Sequence, residues 1–204
     1  MGILITFIIL IFSAIVHEVS HGLIAERLGD STARDEGRIT LNPVPHIDPI
    51  GTILVPLLIY AATGGRFWLG AAKPVPVNFN NLRDPKRDMA LVSLAGPLSN
   101  FLLAAVFALI IRTGLSNVIS YPILLQAVVI NIMLGVFNLI PIPPLDGSKI
   151  IASFLPDKYV HTLLSFERWG FILVLLFVYS GLWVVFLYPV LSLFSKLFGL
   201  DFGF

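Results

Sequence analysis

Four apolar stretches, about residues 1–24, 89–111, 121–140 and 169–198, most constrain what this chain can fold into. Each approaches or exceeds the roughly 20 residues that an α-helix needs to cross a hydrocarbon core. In hydrocarbon, every backbone N–H and C=O has to be paired within the protein, so these stretches are expected as helices. Composition agrees: 57% of residues are hydrophobic, 12% are charged, and the mean hydropathy is +0.93. Soluble domains carry about a quarter charged residues. A net charge of +1 without a concentrated basic patch argues against nucleic acid as a partner. The absence of cysteine excludes disulfides and a thiolate nucleophile.

The expected architecture is an all-α polytopic membrane protein, a single domain over 1–204 lying in the lipid bilayer. Residues 1–16 lack a basic region ahead of the apolar run and a small-x-small cleavage site after it, so they read as a retained helix, not a signal peptide. Residues 169–198 are long enough for a bent helix or a tight hairpin, with Ser180-Gly181 and Tyr188-Pro189 as candidate breaks. A shorter stretch, 50–62, contains Pro56 and fits a re-entrant segment or a short span. Two polar inserts, 25–49 and 64–88, are rich in Pro and β-branched residues; short membrane-associated β-strands or loops are expected there. Lys73-Pro74-Val75-Pro76-Val77 has the pattern of an edge strand. Basic residues cluster in 27–38, 66–87 and 149–168 and are absent from 114–120. Their distribution places those clusters on the cytoplasmic side and the amino terminus outside, provided that 50–62 re-enters.

The first apolar stretch contains Ile15-Val16-His17-Glu18-Val19-Ser20-His21-Gly22. A carboxylate at membrane depth costs about 2.5–3.5 kcal/mol on insertion scales, so Glu18 needs a partner or a wet cavity. His17 and His21 are four residues apart and share one helical face, from which both imidazoles can address one ion. Glu18 projects beside them, placed to take a proton from water. This is the H-E-x-x-H pattern of zinc hydrolases. Catalytic zinc usually takes three protein ligands, so a further buried His, Asp or Glu is required. Asp146, in Asn138-Leu139-Ile140-Pro141-Ile142-Pro143-Pro144-Leu145-Asp146-Gly147, stands at a matching depth. On spacing alone it is either that ligand or an ordinary Asp-Gly turn at a helix end.

The chain resembles the site-2 protease family of intramembrane zinc metalloproteases (peptidase family M50) along nearly its whole length. The resemblance rests on HEVSH at 17–21, HIDPIGT at 46–52, AAKPVPVN at 71–78, SLAGPLSN at 93–100 and NLIPIPPLDG at 138–147. It implies a three-helix catalytic core at about 1–24, 89–111 and 121–140, with one zinc ion held by His17, His21 and Asp146 and Glu18 as general base. It also implies cleavage of peptide bonds in or near the transmembrane helices of other membrane proteins. The segment Lys73, Pro74, Val75, Pro76, Val77 and Asn78 would then lie beside the site, where an unwound substrate could add as a strand. The PDZ or CBS domains of larger members are not expected in a chain of this length, and a short chain of this kind suggests a prokaryotic cell membrane. The sequence leaves the oligomeric state, the natural substrate and the trigger of cleavage undetermined.

Two amides at or near membrane helices, Asn138 and Asn100, could donate to a developing oxyanion or orient a ligand; the alternative is interhelical hydrogen bonding. Asn131 reads as packing. Gly96-Pro97 reads as a close helix crossing or a kink. His46 and Asp48 read as a turn with a solvated histidine, against a gate or a second metal site. A membrane transporter or binding protein could use the same His/Asp cluster for metal or protons. Such a protein has no need of a base one residue from the first ligand, so Glu18 favours the protease.

Overall fold

The computed structural model describes residues 2–48, 73–114 and 120–202. The 50–62 stretch lies outside the described residues. Among the described residues, eight α-helices follow in order: α1 (Gly2–Leu28), α2 (Thr32–Asp35), α3 (Pro85–Arg112), α4 (Tyr121–Asn138), α5 (Asp146–Phe154), α6 (Asp157–Ser165), α7 (Gly170–Ser180) and α8 (Trp183–Phe198). Single 3-10 turns stand at Val44–His46, Phe79–Asn81 and Phe166–Trp169.

Among the described residues, three helices, α1, α3 and α4, are long and apolar enough to cross a membrane, and α3 packs against both of the others. Their outward faces are apolar: Leu4, Ile8 and Phe12 on α1, and Leu98, Leu102, Val106 and Leu109 on α3, are exposed at helical spacing. The polar residues lie inward, with Ser13, His17, His21, Asn100 and Asn131 all buried. This inside-out arrangement is what lipid as solvent requires. Small residues let the helices approach: Ala104 and Ala108 on α3 pack with Val128 and Ile132 of α4 and with Leu187, Leu191 and Phe194 of α8.

The ends of the helices follow local chemistry. Gly29 adopts φ +118 and ends α1, and a side chain there would press on Asn81 O at 3.1 Å. Asp84 accepts from Arg87 N at 3.3 Å and Pro85 fills the first position, so α3 starts at Pro85, ahead of the expected residue 89. After Asn138 the prolines at 141, 143 and 144 prevent α4 from continuing, and α5 restarts at Asp146. Gly181, at φ +73, breaks the carboxy-terminal stretch into α7 and α8, bent by 67°. Pro189 is accommodated inside α8. With 11 residues, α7 is about 16 Å long, too short to span alone.

One expectation is corrected: among the described residues there is no β-strand. Residues 73–78 are extended but belong to no ladder. Pro74 and Pro76 have no N–H, and three of the segment's other donors are already bound. Lys73 N donates to His46 O at 2.8 Å, Val75 N to Glu18 Oε2 at 2.8 Å and Asn78 N to Asp30 Oδ2 at 2.8 Å. In the insert that follows α1, the described residues form α2, a 3-10 turn and loops.

Candidate metal centre

Ser13, His17, His21 and Ala25 form one buried stripe on α1, each four residues from the next. His21 Nδ1 lies 2.6 Å from Val92 O, a main-chain carbonyl that can only accept. His21 therefore carries its proton on Nδ1 and turns a lone pair out at Nε2. His17 Nδ1 lies 2.6 Å from Asn100 Oδ1, and Asn100 Nδ2 faces Ser13 O at 3.3 Å. That carbonyl fixes the amide with its oxygen toward His17, so His17 too is protonated at Nδ1 and open at Nε2.

The two open nitrogens are 3.0 Å apart, and Asp146 Oδ2 lies 3.1 Å from His17 Nε2 and 3.2 Å from His21 Nε2. A tetrahedral metal with bonds near 2.0 Å has ligand–ligand edges of about 3.3 Å, so this triangle matches one face of such a shell. Three lone-pair atoms this close repel one another unless a cation stands among them. Zinc fits both the donor chemistry and the size. Asp146 sits on the first turn of α5, outside the spanning helices. Its carboxyl is buried, and a cation among the three ligand atoms would favour its ionised form there. The anionic form is the one that a metal needs. Among the described residues, this trio is the one group of three His, Asp or Glu side chains whose ligand atoms converge.

Two glycines make the convergence possible. A Cβ on Gly96 would fall well inside contact distance of both Nε2 atoms. Gly96 thus lies directly against the ligand nitrogens, a closer role than the helix crossing expected from its sequence. A Cβ on Gly147 would collide with Leu139 O and lie 2.5 Å from Ile140 O, so the turn that brings Asp146 inward requires glycine next to it. Asp146 is accordingly at the start of a helix and 7% exposed, not in a solvent-facing turn at a helix end.

Glu18 is half-buried, and its Oε2 accepts the Val75 N–H at 2.8 Å. Val75 itself is buried, with its Cγ1 where a side chain on Gly22 would be, 3.0 Å away. The extended segment therefore runs along α1 beside the histidines. Arg38 holds it from the other flank, Nη2 donating to Lys73 O at 2.9 Å and to Pro74 O at 3.2 Å. Asp30 fixes the far end, accepting from Asn78 N, from Thr32 and from Asn81 Nδ2 at 2.9 Å.

The other sequence candidates divide. Asn100 is brought to the site, on His17. Asn138 is half-buried, and its side chain donates to Leu134 O of its own helix at 2.9 Å, its one side-chain hydrogen bond among the described residues. His46 corrects the expectation of a solvated side chain. It is 1% exposed, with Nε2 on Thr40 O at 2.8 Å, because its backbone carbonyl anchors Lys73 and draws the residue inward. Neither His46 nor Asp48 joins a metal cluster among the described residues. Sequence reasoning missed Asp30, Arg38 and the part played by Asn131. A buried Asp or Arg next to a helix end has no distinctive spacing, whereas Gly96 was within reach, standing one turn before Asn100 on the same stripe.

The sequence profile described as Peptidase family M50 matches residues 114–178. YwhC of Bacillus subtilis (strain 168) is 37% identical over 199 residues, covering 91% of this chain and 84% of the relative. The chain belongs to peptidase family M50. Rip2 of Mycolicibacterium smegmatis is 29% identical over 166 residues, covering 80% of this chain and 62% of its own length. MJ0392 of Methanocaldococcus jannaschii is 27% identical over 153 residues, with 75% of this chain and 35% of the relative covered. YwhC and Rip2 are named as candidate zinc metalloproteases, and MJ0392 as a zinc metalloprotease. No solved structure matches. As an M50 peptidase with three described helices long and apolar enough to cross a membrane, the protein is an intramembrane zinc metalloprotease acting on membrane substrates, and the transporter reading is not favoured.

Proposed function

We propose that His17, His21 and Asp146 hold the zinc ion and that Glu18 is the general base of peptide-bond hydrolysis. The observation that carries this reading is the triangle of Nε2, Nε2 and Oδ2, whose imidazole tautomers leave every facing atom a lone pair. Zinc bound there supplies Lewis acidity toward the scissile carbonyl and makes water acidic enough to attack near neutral pH. Val75 N–H holds Glu18 Oε2, leaving Oε1 to take the water proton and return it to the leaving amine as the C–N bond breaks. Gly96 keeps space open at the ligand nitrogens, and Asn100 orients His17 through Nδ1.

A helical substrate has its carbonyls tied in i to i+4 bonds and must unwind before attack. The carbonyls of Val75, Pro76 and Val77 accept nothing among the described residues, while the N–H groups of Lys73, Val75 and Asn78 are taken. An unwound segment would therefore pair with 73–78 mainly by donating its own N–H groups. The site lies at the end of the core that carries Arg27, Arg34, Arg83, Lys86, Arg87 and Lys149, which supports a cytoplasmic position.

The test is zinc content and cleavage of a transmembrane substrate by purified protein in detergent. Glu18→Gln is expected to keep zinc and to lose at least about 100-fold in kcat, the usual range for a general base. Equal cleavage by the zinc-loaded Glu18→Gln protein would reject the mechanism. Full zinc occupancy in Asp146→Ala would remove Asp146 from the ligand set.

A further inference from the structure

We infer that Asn131, together with Ser13, is a positioning residue for the metal centre, setting the ring tautomer of His17 through Asn100. The inference rests on the reading of His17 as a zinc ligand. Asn131 and Asn100 are both 0% exposed, on α4 and α3, and Ser13 lies one turn before His17 on α1. The relay begins at Ala127 O, a main-chain carbonyl that can only accept. It takes one hydrogen of Asn131 Nδ2 at 2.9 Å, and Ser13 Oγ takes the other at 2.9 Å.

With both its hydrogens engaged, Asn131 has to turn Oδ1 toward Asn100 Nδ2, at 3.1 Å. Ser13 O receives the second Asn100 hydrogen at 3.3 Å. Both donors of Asn100 are now used, so its Oδ1 faces His17 Nδ1 at 2.6 Å. An acceptor at Nδ1 keeps the proton there and leaves Nε2 as a lone pair toward His21 and Asp146. Reversing the Asn100 amide would set its oxygen against two other oxygens, Ser13 O and Asn131 Oδ1. It would also set an N–H against His17 Nδ1, moving the ring proton to Nε2 and closing that nitrogen as a ligand. In a buried setting such mispairing is far costlier than in water. Two carbonyls on neighbouring helices thus fix, through two amides, which nitrogen of His17 is free.

A purely structural role is the competing explanation, since the same bonds join α1, α3 and α4. The deciding experiment is a double-mutant cycle on zinc affinity in detergent, read by chelator competition, with the thermal midpoint of each zinc-free protein. Asn131→Leu is expected to weaken zinc about tenfold in the wild-type background, within the range found for outer-shell partners, and less than twofold when Asn100 is already alanine. If Asn131→Leu leaves zinc affinity within twofold of wild type, or weakens it equally in both backgrounds, the relay is rejected. Should Asn131→Leu fail to fold, Ser13→Ala takes its place in the same cycle with the same criteria. His17→Ala is the reference. Retention of full zinc affinity in that variant rejects the ligand assignment itself, whereas its loss alongside an indifferent Asn131 rejects only the relay.

Discussion

Gly96 illustrates how a missing side chain can define a metal site. The Nε2 atoms of His17 and His21 occupy the volume that a Cβ at 96 would claim. The three atoms nearest such a methyl all belong to the two imidazoles. Gly96→Ala is therefore expected to reduce zinc affinity at least tenfold while the zinc-free protein holds or raises its thermal midpoint. Alanine favours a helix interior over glycine by about 0.8–1 kcal/mol, so the two readouts should move apart. Unchanged zinc affinity in Gly96→Ala would show that the imidazoles have room elsewhere. At this scale the sequence was most legible where chemistry is local. His17, Glu18 and His21 are near neighbours on one helix, and helical geometry alone gathers them. Asp146 needed the resemblance, because an Asp-Gly pair after prolines also describes an ordinary turn. The orienting groups were less legible still. Val92 O is a backbone atom without a residue signature, and Asn131 looks like any buried amide until its partners are known.

The extended segment 73–78 shows why element type can be misread although element position is not. Its alternating Pro-Val pattern suits an edge strand, and it does lie beside the site, yet backbone partners for a ladder are missing. Side chains take their place: Glu18 and Asp30 accept its N–H groups and Arg38 donates to its carbonyls. Asp30 anchors this arrangement, and its own titration reports on it. Burial pushes its pKa up, but hydrogen bonds from Thr32, Asn81 and Asn78 outweigh that and leave it below the ordinary 3.8. A carboxylate lowered on folding contributes stability that is complete above its unfolded pKa and fades as pH falls through the folded value. Asp30→Asn is therefore expected to destabilise the protein by about 1–3 kcal/mol at pH 7, through loss of charge-assisted bonds to buried donors. The gap between variant and wild type should narrow below about pH 4, where Asp30 begins to protonate in the unfolded chain. Thermal melts of both proteins at pH 7 and pH 3.5 measure this, and a gap that is constant with pH would assign the effect to packing instead of charge.

Across the whole molecule, charge and polarity are arranged along the helix axes. α1 and α4 start at the same end, where Gln126 Nε2 reaches Thr6 Oγ1, and α3 runs back between them. At the other end, beyond the histidines, Arg83 N meets Leu28 O at 3.0 Å. Most of the described basic residues lie at this second end, whereas Arg112 and Lys196 lie at the first, where Arg112 donates to Leu197 O. Spanning helices and their spacing were legible in the sequence because hydrocarbon permits so few backbone solutions. Direction was legible only as a charge bias, since no packing force distinguishes the two faces of a bilayer. The absence of cysteine makes this directly measurable, because a single introduced thiol is then the only one in the chain. Cysteines at the exposed positions Glu36 and Asp157 should react with a membrane-impermeant maleimide only after cells are opened. Cysteines at exposed Gly2 and Thr113, at the opposite end, should react in intact cells. The expected contrast is tenfold or more, since an impermeant reagent either reaches a thiol or does not. Labelling of Glu36→Cys and Asp157→Cys in intact cells, with Gly2→Cys and Thr113→Cys protected, would invert the molecule. It would place Glu18, His17, His21 and Asp146 near the outer face, where water and substrate would have to enter from outside.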